Sequence, residues 1–308
     1  MTLIRVSVTN RCRMAFRRNR FIFLLLFLLL AFRAAGAEWT CLTWNMCWFP
    51  SGKRDLRLPD VEPKRIAAAA AIIRQAQPQL IFLQEIRDRE TCQALAQAIG
   101  GQTQAVACSA FVDRTDTVTF QQCAILMRPD PRCPDMRVLD SGFERWKRKG
   151  DIVPSRGFAY ALIGTGDKNI MCCCVHLKAN RSRTFKGQQQ DIYNREQAIE
   201  QLLAAIRARQ EKQGPRIDAV IIAGDFNTNL DDAAWVSESS LRRLSENGFA
   251  YCFQGVPAAE RITIPAKDNY PPSTFDYLFY KGLRSKAPGR VVTGAPISDH
   301  NAVVVTLD

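Results

Sequence analysis

A chain of 308 residues that is 47% hydrophobic supports one large core rather than two. Its formal net charge of +12 looks like the mark of a polyanion binder, but residues 1–37 hold seven arginines and no acids, so the remainder carries only +5. The raw basicity therefore gives only weak support for a polyanionic partner.

The first segment reads as an export signal. Arg5, Arg11, Arg13, Arg17, Arg18 and Arg20 form a positive n-region, "FIFLLLFLLLAF" is the apolar h-region, and "AGA" at Ala35 to Ala37 suits cleavage by a signal peptidase. The apolar run from Phe21 to Phe32 is shorter than the about 20 residues of a spanning helix. Cleavage after Ala37 makes 1–37 a signal peptide, 38–308 the single mature domain, and the protein secreted or periplasmic. An uncleaved membrane anchor is the alternative, and Met14 is an alternative start. Of eleven cysteines, Cys12 leaves with the signal and ten enter an oxidising compartment, where disulfides persist. Their pairing is not readable from sequence.

Residues 38–308 alternate strands and helices. "EWTCLTWN" is a strand. "EPKRIAAAAAIIRQAQ" is a helix with Pro63 in its first turn, and "QLIFLQE" is a buried strand. "DRETCQALAQAIGG" is a helix capped by Asp88 and ended by Gly100 and Gly101. "QQCAILM", "GFAYALI" and "NIMCCCVH" are strands, the last two joined by the turn "GTGDK". "DIYNREQAIEQLLAAIRARQEKQG" is the longest helix, with Ile192, Ile199, Leu202, Leu203 and Ile206 near a 3.6 period and Gly214–Pro215 as its stop. "DAVIIAGD", "TFDYLFY" and "NAVVVTL" complete the strands. Loops 50–62, 128–156, 178–190 and 254–273 are polar or rich in Pro and Gly, and are the places for specificity.

The informative pattern is what ends the apolar strands: Asn45, Gln84–Glu85, His176, Asp225 with Asn227, Asp276, and Asp299–His300. In α/β sheets the ligand crevice lies at one end of the strands. Each residue alone is more simply a turn or cap. Together they are a set, because both histidines of the chain lie in these clusters among hard oxygen donors. Carboxylates and water suit Mg²⁺, and imidazole supplies acid, base or phosphate contact.

The motifs "WN", "QE", "HL", "GDFN", "FDY" and "SDH", in this order across 39–308, resemble the endonuclease/exonuclease/phosphatase superfamily, the DNase I-like proteins. The resemblance implies an α/β fold: a four-layered sandwich of two packed mixed β-sheets flanked by helices. It implies a phosphoesterase that uses Mg²⁺ or Mn²⁺ and hydrolyses phosphodiesters at one edge of the sheets. Residue by residue, Glu85 resembles the main metal ligand, and Asn45 and Asp299 the residues completing the metal's surroundings. Asp225 resembles the acid that orients or deprotonates the attacking water, and Asn227 the amide that holds a phosphate oxygen. His300, paired with Asp276, and His176 resemble the two histidines that contact phosphate or move a proton. Arg156 stands where many members carry a basic residue before a glycine, a phosphate contact. The superfamily's abasic-site endonucleases carry an acid two residues after the first-motif Asn. Cys47 stands there, so neither a second acidic ligand nor an abasic-site role is implied.

Three further features have readings of their own. Consecutive Cys172, Cys173 and Cys174 alternate faces in a strand and cannot relax around one ion. They read as packing in a strand that delivers His176, with a disulfide to a distant cysteine left open. "RWKRKGD" reads as a solvated loop, or as a phosphate track with Trp146 stacking on a base. Trp44, Trp48 and Phe49 read as core or site wall, and Arg207 and Arg209 as a solvated helix face.

Cationic clusters at Arg145 to Lys149 and at Arg181, Arg183 and Lys186 favour a nucleic-acid substrate. The expected protein is thus an exported nuclease. The alternatives are a sphingomyelinase-like lipid phosphodiesterase or a phosphomonoesterase on the same scaffold, or a non-catalytic binding domain. No protein partner is inferred.

Overall fold

The computed structural model describes residues 38–112, 117–130, 135–147, 156–166, 168–180, 182–267 and 270–308. The proposed signal segment, and Arg148, Lys149 and Arg181 of the cationic clusters, lie outside the described residues.

The elements alternate from the start. Strand β1 (Trp39–Phe49) is followed by α1 (Glu62–Ala76), β2 (Leu80–Ile86), α2 (Arg89–Ile99), β3 (Gln104–Cys108) and β4 (Gln122–Met127). Three strands follow without a helix: β5 (Arg137–Arg145), β6 (Gly157–Thr165) and β7 (Lys168–His176). Helix α3 (Phe185–Glu211), β8 (Ala219–Asp225), α4 (Ser240–Glu246), β9 (Ala250–Tyr251), β10 (Asp276–Lys281), β11 (Arg290–Val292) and β12 (Ala302–Leu307) complete the chain.

Two six-stranded sheets result, ordered β11-β12-β1-β2-β4-β3 and β5-β6-β7-β8-β10-β9. Each is mixed: β1–β2 and β7–β8 are parallel and the other pairs antiparallel. The sheets face one another, β4 against β6 and β7, β2 against β7 and β8, and β1 against β8 and β10. Helices α1 and α2 cover the outer face of the first sheet, where Leu42, Trp44, Ile81, Leu83 and Leu126 pack with Ala70, Ile73 and Leu95. Helix α3 covers the second sheet with buried Ile199, Leu202 and Ile206. This is the sandwich expected from the motifs.

Local chemistry sets the helix ends. Pro63 lies in the first turn of α1, where a missing N–H costs nothing. Asp88 caps α2 by accepting from Thr91 N at 2.8 Å, and Gly100 ends it. Helix α3 departs from the expected 191–214. It starts at Phe185, because Thr184 Oγ1 caps it by accepting from Gly187 N at 3.2 Å, and it stops at Glu211 before Gly214 is reached. Residues 137–145, read as loop, are strand β5. It is a largely exposed edge strand with little apolar alternation to announce it.

The cysteine triplet alternates as strand geometry requires. Cys174 faces the other sheet, accepting from Gln84 Nε2 at 3.2 Å and donating to Leu83 O at 3.3 Å. Cys173 lies on the opposite face, where the charges of Arg209 and Glu144 reach it. All three are buried, and every described cysteine is a free thiol. Two surface readings change. Trp146 is 7% exposed and packs on Phe158 at 5.4 Å, so it is not a free stacking platform. Arg209 stacks over Tyr160 at 4.1 Å and pairs with Glu144, which fastens α3 to β5 and β6, whereas Arg207 is exposed as expected.

Candidate functional site

Strand register places the first three residues. His176 of β7 stands opposite Asp225 of β8, and Asp225 stands opposite Asp276 of β10. Three neighbouring strands thus end, side by side, in an imidazole and two carboxylates. The close approach of β7 and β8 depends on Gly224, at φ +152°. A Cβ there would lie 1.9 Å from Val175 O, a contact that backbone cannot yield to.

The opposite sheet supplies Asn45 and Glu85 through irregularities in β1 and β2. Alternation along β2 would send Glu85 to the helix side with Leu83. Instead the register shifts between Gln84 and Ile86, and Glu85 takes a left-handed φ of 59°. Such a bulge re-aims a side chain. Glu85 then accepts from Trp48 N at 3.0 Å and faces His176, Oε1 lying 3.9 Å from Nε2. β1 is irregular between Asn45 and Phe49, with Cys47 and Trp48 also at positive φ. Strain held by the surrounding fold is typical of functional sites.

The polar groups form one array. Asn45 Nδ2 donates to Asp225 Oδ2 at 2.9 Å, and Asn227 N donates to Asp225 Oδ1 at 2.9 Å. Asp225 Oδ2 lies 3.5 Å from His176 Nε2 and 4.0 Å from His300 Nε2. His300 Nδ1 hydrogen-bonds Asp276 Oδ2 at 2.9 Å. Among the described residues, Asp225, Asp276 and His300 are the one trio of His, Cys, Asp and Glu whose ligand atoms all lie within 4.8 Å of one another. Burial, then the charge of Asp276, raises the Asp225 pKa well above the carboxylate range, against the lowering effects of His300 and the Asn45 and Asn227 hydrogen bonds. Burial opposes charge on His300, but Asp276, by charge and hydrogen bond, outweighs it and raises the imidazole pKa.

The loop carrying Asp299 and His300 is stitched to β1. Ser298 Oγ donates to Asn45 O at 2.7 Å and accepts from His300 N at 3.0 Å, while Trp44 Nε1 donates to His300 O at 3.0 Å. Asp299 is exposed at the rim beside Cys47. The Cys47 thiol is pushed up to about 12 by burial and then by the charges of Asp299 and Glu85. Arg156 reaches the other side of the site, donating to Gln121 Oε1 at 2.6 Å and to Leu177 O at 3.4 Å.

All nine candidate residues therefore fall at one end of the sandwich, Asp299 and Arg156 at its margins. Sequence reasoning missed their supports. Arg195 of α3 is fully buried. It donates to Glu238 at 2.8 and 2.6 Å and to Lys178 O at 2.8 Å. It thereby clamps both the loop after His176 and the loop after Asn227. The signal was present: Arg195 sits four residues before Ile199 and seven before Leu202, on the apolar stripe of the helix.

Two facing sheets thus bring carboxylates, amides and imidazoles together at one end of the sandwich. The chain belongs to the Endonuclease/Exonuclease/phosphatase family, whose model matches residues 42–300. It is similar in structure to truncated TDP2 from Caenorhabditis elegans, with a TM-score of 0.60 and 17% identity over 88% of this chain and 98% of that one. An endonuclease/exonuclease/phosphatase from Bacteroides vulgatus gives 0.61 and 17% over 88% and 99%, and a family protein from Bacteroides thetaiotaomicron 0.60 and 14% over 88% and 95%. At such identities the likeness is one of fold. No curated protein matches the chain.

Proposed function

We propose that this protein is an exported, divalent-metal-dependent phosphodiesterase acting on nucleic acid. The observation that carries the reading is the alignment of His176, Asp225 and Asp276 on adjacent strands, closed by His300 on one side and by Asn45 and Glu85 on the other.

Glu85, Asn45 and Asp299 would hold Mg²⁺ or Mn²⁺. They offer hard oxygen donors, and the Glu85 and Asp299 carboxylates both stand close enough to Cys47 to act on its thiol. Asp225, Asp276 and His300 are assigned to proton handling instead: Asp225 is fixed by two hydrogen bonds, and His300 is held at Nδ1 by Asp276, which leaves Nε2 to face the substrate. A bound metal would supply Lewis acidity at a phosphoryl oxygen.

The remaining work falls to the side chains. Asp225, fixed by Asn45 and Asn227, orients the attacking water and accepts its proton. Asp276 holds His300 Nδ1–H, leaving Nε2 toward the substrate to donate to the phosphate or the leaving oxygen. His176 Nε2 faces the same space from β7. Asn227 gives one amide N–H to Leu177 O at 3.2 Å and keeps a second for a phosphoryl oxygen. Arg156 adds positive charge at the margin.

Export rests on the sequence of residues 1–37, with a membrane anchor if the signal stays attached. The substrate is tested by presenting one set to the metal-loaded protein: plasmid DNA, single-stranded DNA, RNA, sphingomyelin vesicles and inositol phosphates. Cleavage of DNA or RNA, slowing as salt rises, is the expected result. Turnover of vesicles or inositol phosphates with intact nucleic acid would refute the substrate and leave the metal chemistry standing.

A further inference from the structure

The loop after His176 links the site to the first turns of α3. Asn180 Nδ2 donates to Asn227 O at 2.6 Å, while Lys178 Nζ pairs with Asp191 Oδ1 at 3.1 Å and Ser182 N donates to Asp191 Oδ2 at 3.3 Å. One short loop thus touches both Asn227 and the second turn of α3. That stretch of α3 also lines a surface groove of about 440 Å³, formed by Lys186, Gln189, Gln190 and Tyr193 with Ser237 from the loop after β8. Glu196, also on its wall, is engaged by Ser239 N and Oγ at 2.9 and 2.6 Å.

The apolar surface around this groove is unusual for the molecule. Tyr193, on the groove's wall, is 39% exposed, and Phe185 and Val236, each one residue before a lining residue, are 76% and 68% exposed, three of the eight large apolar side chains that stand exposed among the described residues. Arg183 and Lys186 are exposed beside Phe185. Two aromatic rings, side-chain amides and cations are the chemistry of single-strand recognition: rings stack on bases, amides pair with base edges, and cations follow the backbone.

We propose that this groove binds a nucleotide of a single-stranded polynucleotide whose scissile phosphate lies at Asp225 and His300. The proposal rests on the phosphodiesterase reading of that site and adds a subsite to it. Phe185 and Tyr193 stack on unpaired bases, Gln189 and Gln190 meet base edges, and Arg183 and Lys186 meet phosphates. A paired duplex keeps its base faces inside the stack and offers these rings nothing. A lipid surface fits less well, because burying Gln189, Gln190 and Lys186 in it would strip water from groups that acyl chains cannot hydrogen-bond.

The test compares two substrates with the metal-loaded protein and its Phe185→Ala, Tyr193→Ala and doubly substituted forms. One is an oligothymidylate of about twelve nucleotides, within the span of single-strand sites. The other is bis-p-nitrophenyl phosphate, a small diester with no polynucleotide chain to occupy the groove. Each single substitution should lower kcat/KM on the oligonucleotide roughly 5- to 100-fold, the loss of one stacked base, and leave the small diester unchanged. Equal rates on the oligonucleotide in wild type and double variant would overturn the subsite while sparing the nuclease reading. Hydrolysis of the small diester by wild type, with no oligonucleotide cleaved or bound, would remove both the nucleic-acid reading and the subsite. Loss of sedimentation with sphingomyelin vesicles in the variants, in place of any effect on the oligonucleotide, would overturn it in favour of a membrane surface.

Discussion

Asp225→Ala and His300→Ala are each expected to lower kcat for phosphodiester hydrolysis by roughly 100-fold or more, the scale of a lost positioned acid or base. Asp225 sits where three strands and two amides fix it, with both imidazole Nε2 atoms within 4.0 Å of Oδ2. No other carboxylate occupies that point, since Asp276 bonds His300, whereas Glu85, on the opposite sheet, accepts from Trp48 N. Removing the carboxylate also strands the Asn45 and Asn227 donors, so Asp225→Asn, which keeps the volume, separates chemistry from folding. His300 is held at Nδ1 by Asp276 at 2.9 Å, and its loss empties the position facing Asp225. Rates for all three variants within a few-fold of wild type, on folded protein, would show that the chemistry lies elsewhere.

The largest stability effect is expected at Arg195. Its guanidinium and the Glu238 carboxylate have 0% and 1% of their side-chain surface exposed, so either partner left alone is a charge without water. Breaking a buried pair costs about 3–5 kcal/mol. At about 2–4 °C per kcal/mol for a domain of this size, Arg195→Met or Glu238→Leu should lower Tm by roughly 6–20 °C. Substituting both together should recover part of the loss, because the stranded charge is gone. Single-variant shifts of under about 2 °C, or a double variant as damaged as the sum of the singles, would show that the pair is not the strut that the geometry indicates.

The sequence made the site legible because its chemistry interrupts hydrophobic runs. Asn45, Glu85, His176 and Asp225 each end an apolar strand, and polar residues at such points stand out against the core around them. What brings them together was less legible. The turn of Glu85 into the site needs a bulge that only strand register reveals, and alternation alone would have pointed it away. β5 has too few buried positions to show a period, and β9 and β11 are two and three residues long. The first turns of α3 lack an apolar stripe, since Ile192 lines the surface groove rather than the core. Arg195 sat in plain view on the buried stripe of a helix, but its partner Glu238 lies 43 residues away and only the fold joins them.

Metal held at the Glu85 corner is proposed to hydrolyse phosphodiesters together with the Asp225–His300 array. This proposal is tested most directly by the hydrolysis of bis-p-nitrophenyl phosphate by the purified protein, before and after EDTA and again after adding back Mg²⁺ or Mn²⁺. The expected result is p-nitrophenol release that EDTA abolishes and either metal restores in wild type but not in Asp225→Asn. Release that continues unchanged in EDTA, or its absence at every metal concentration, would contradict it.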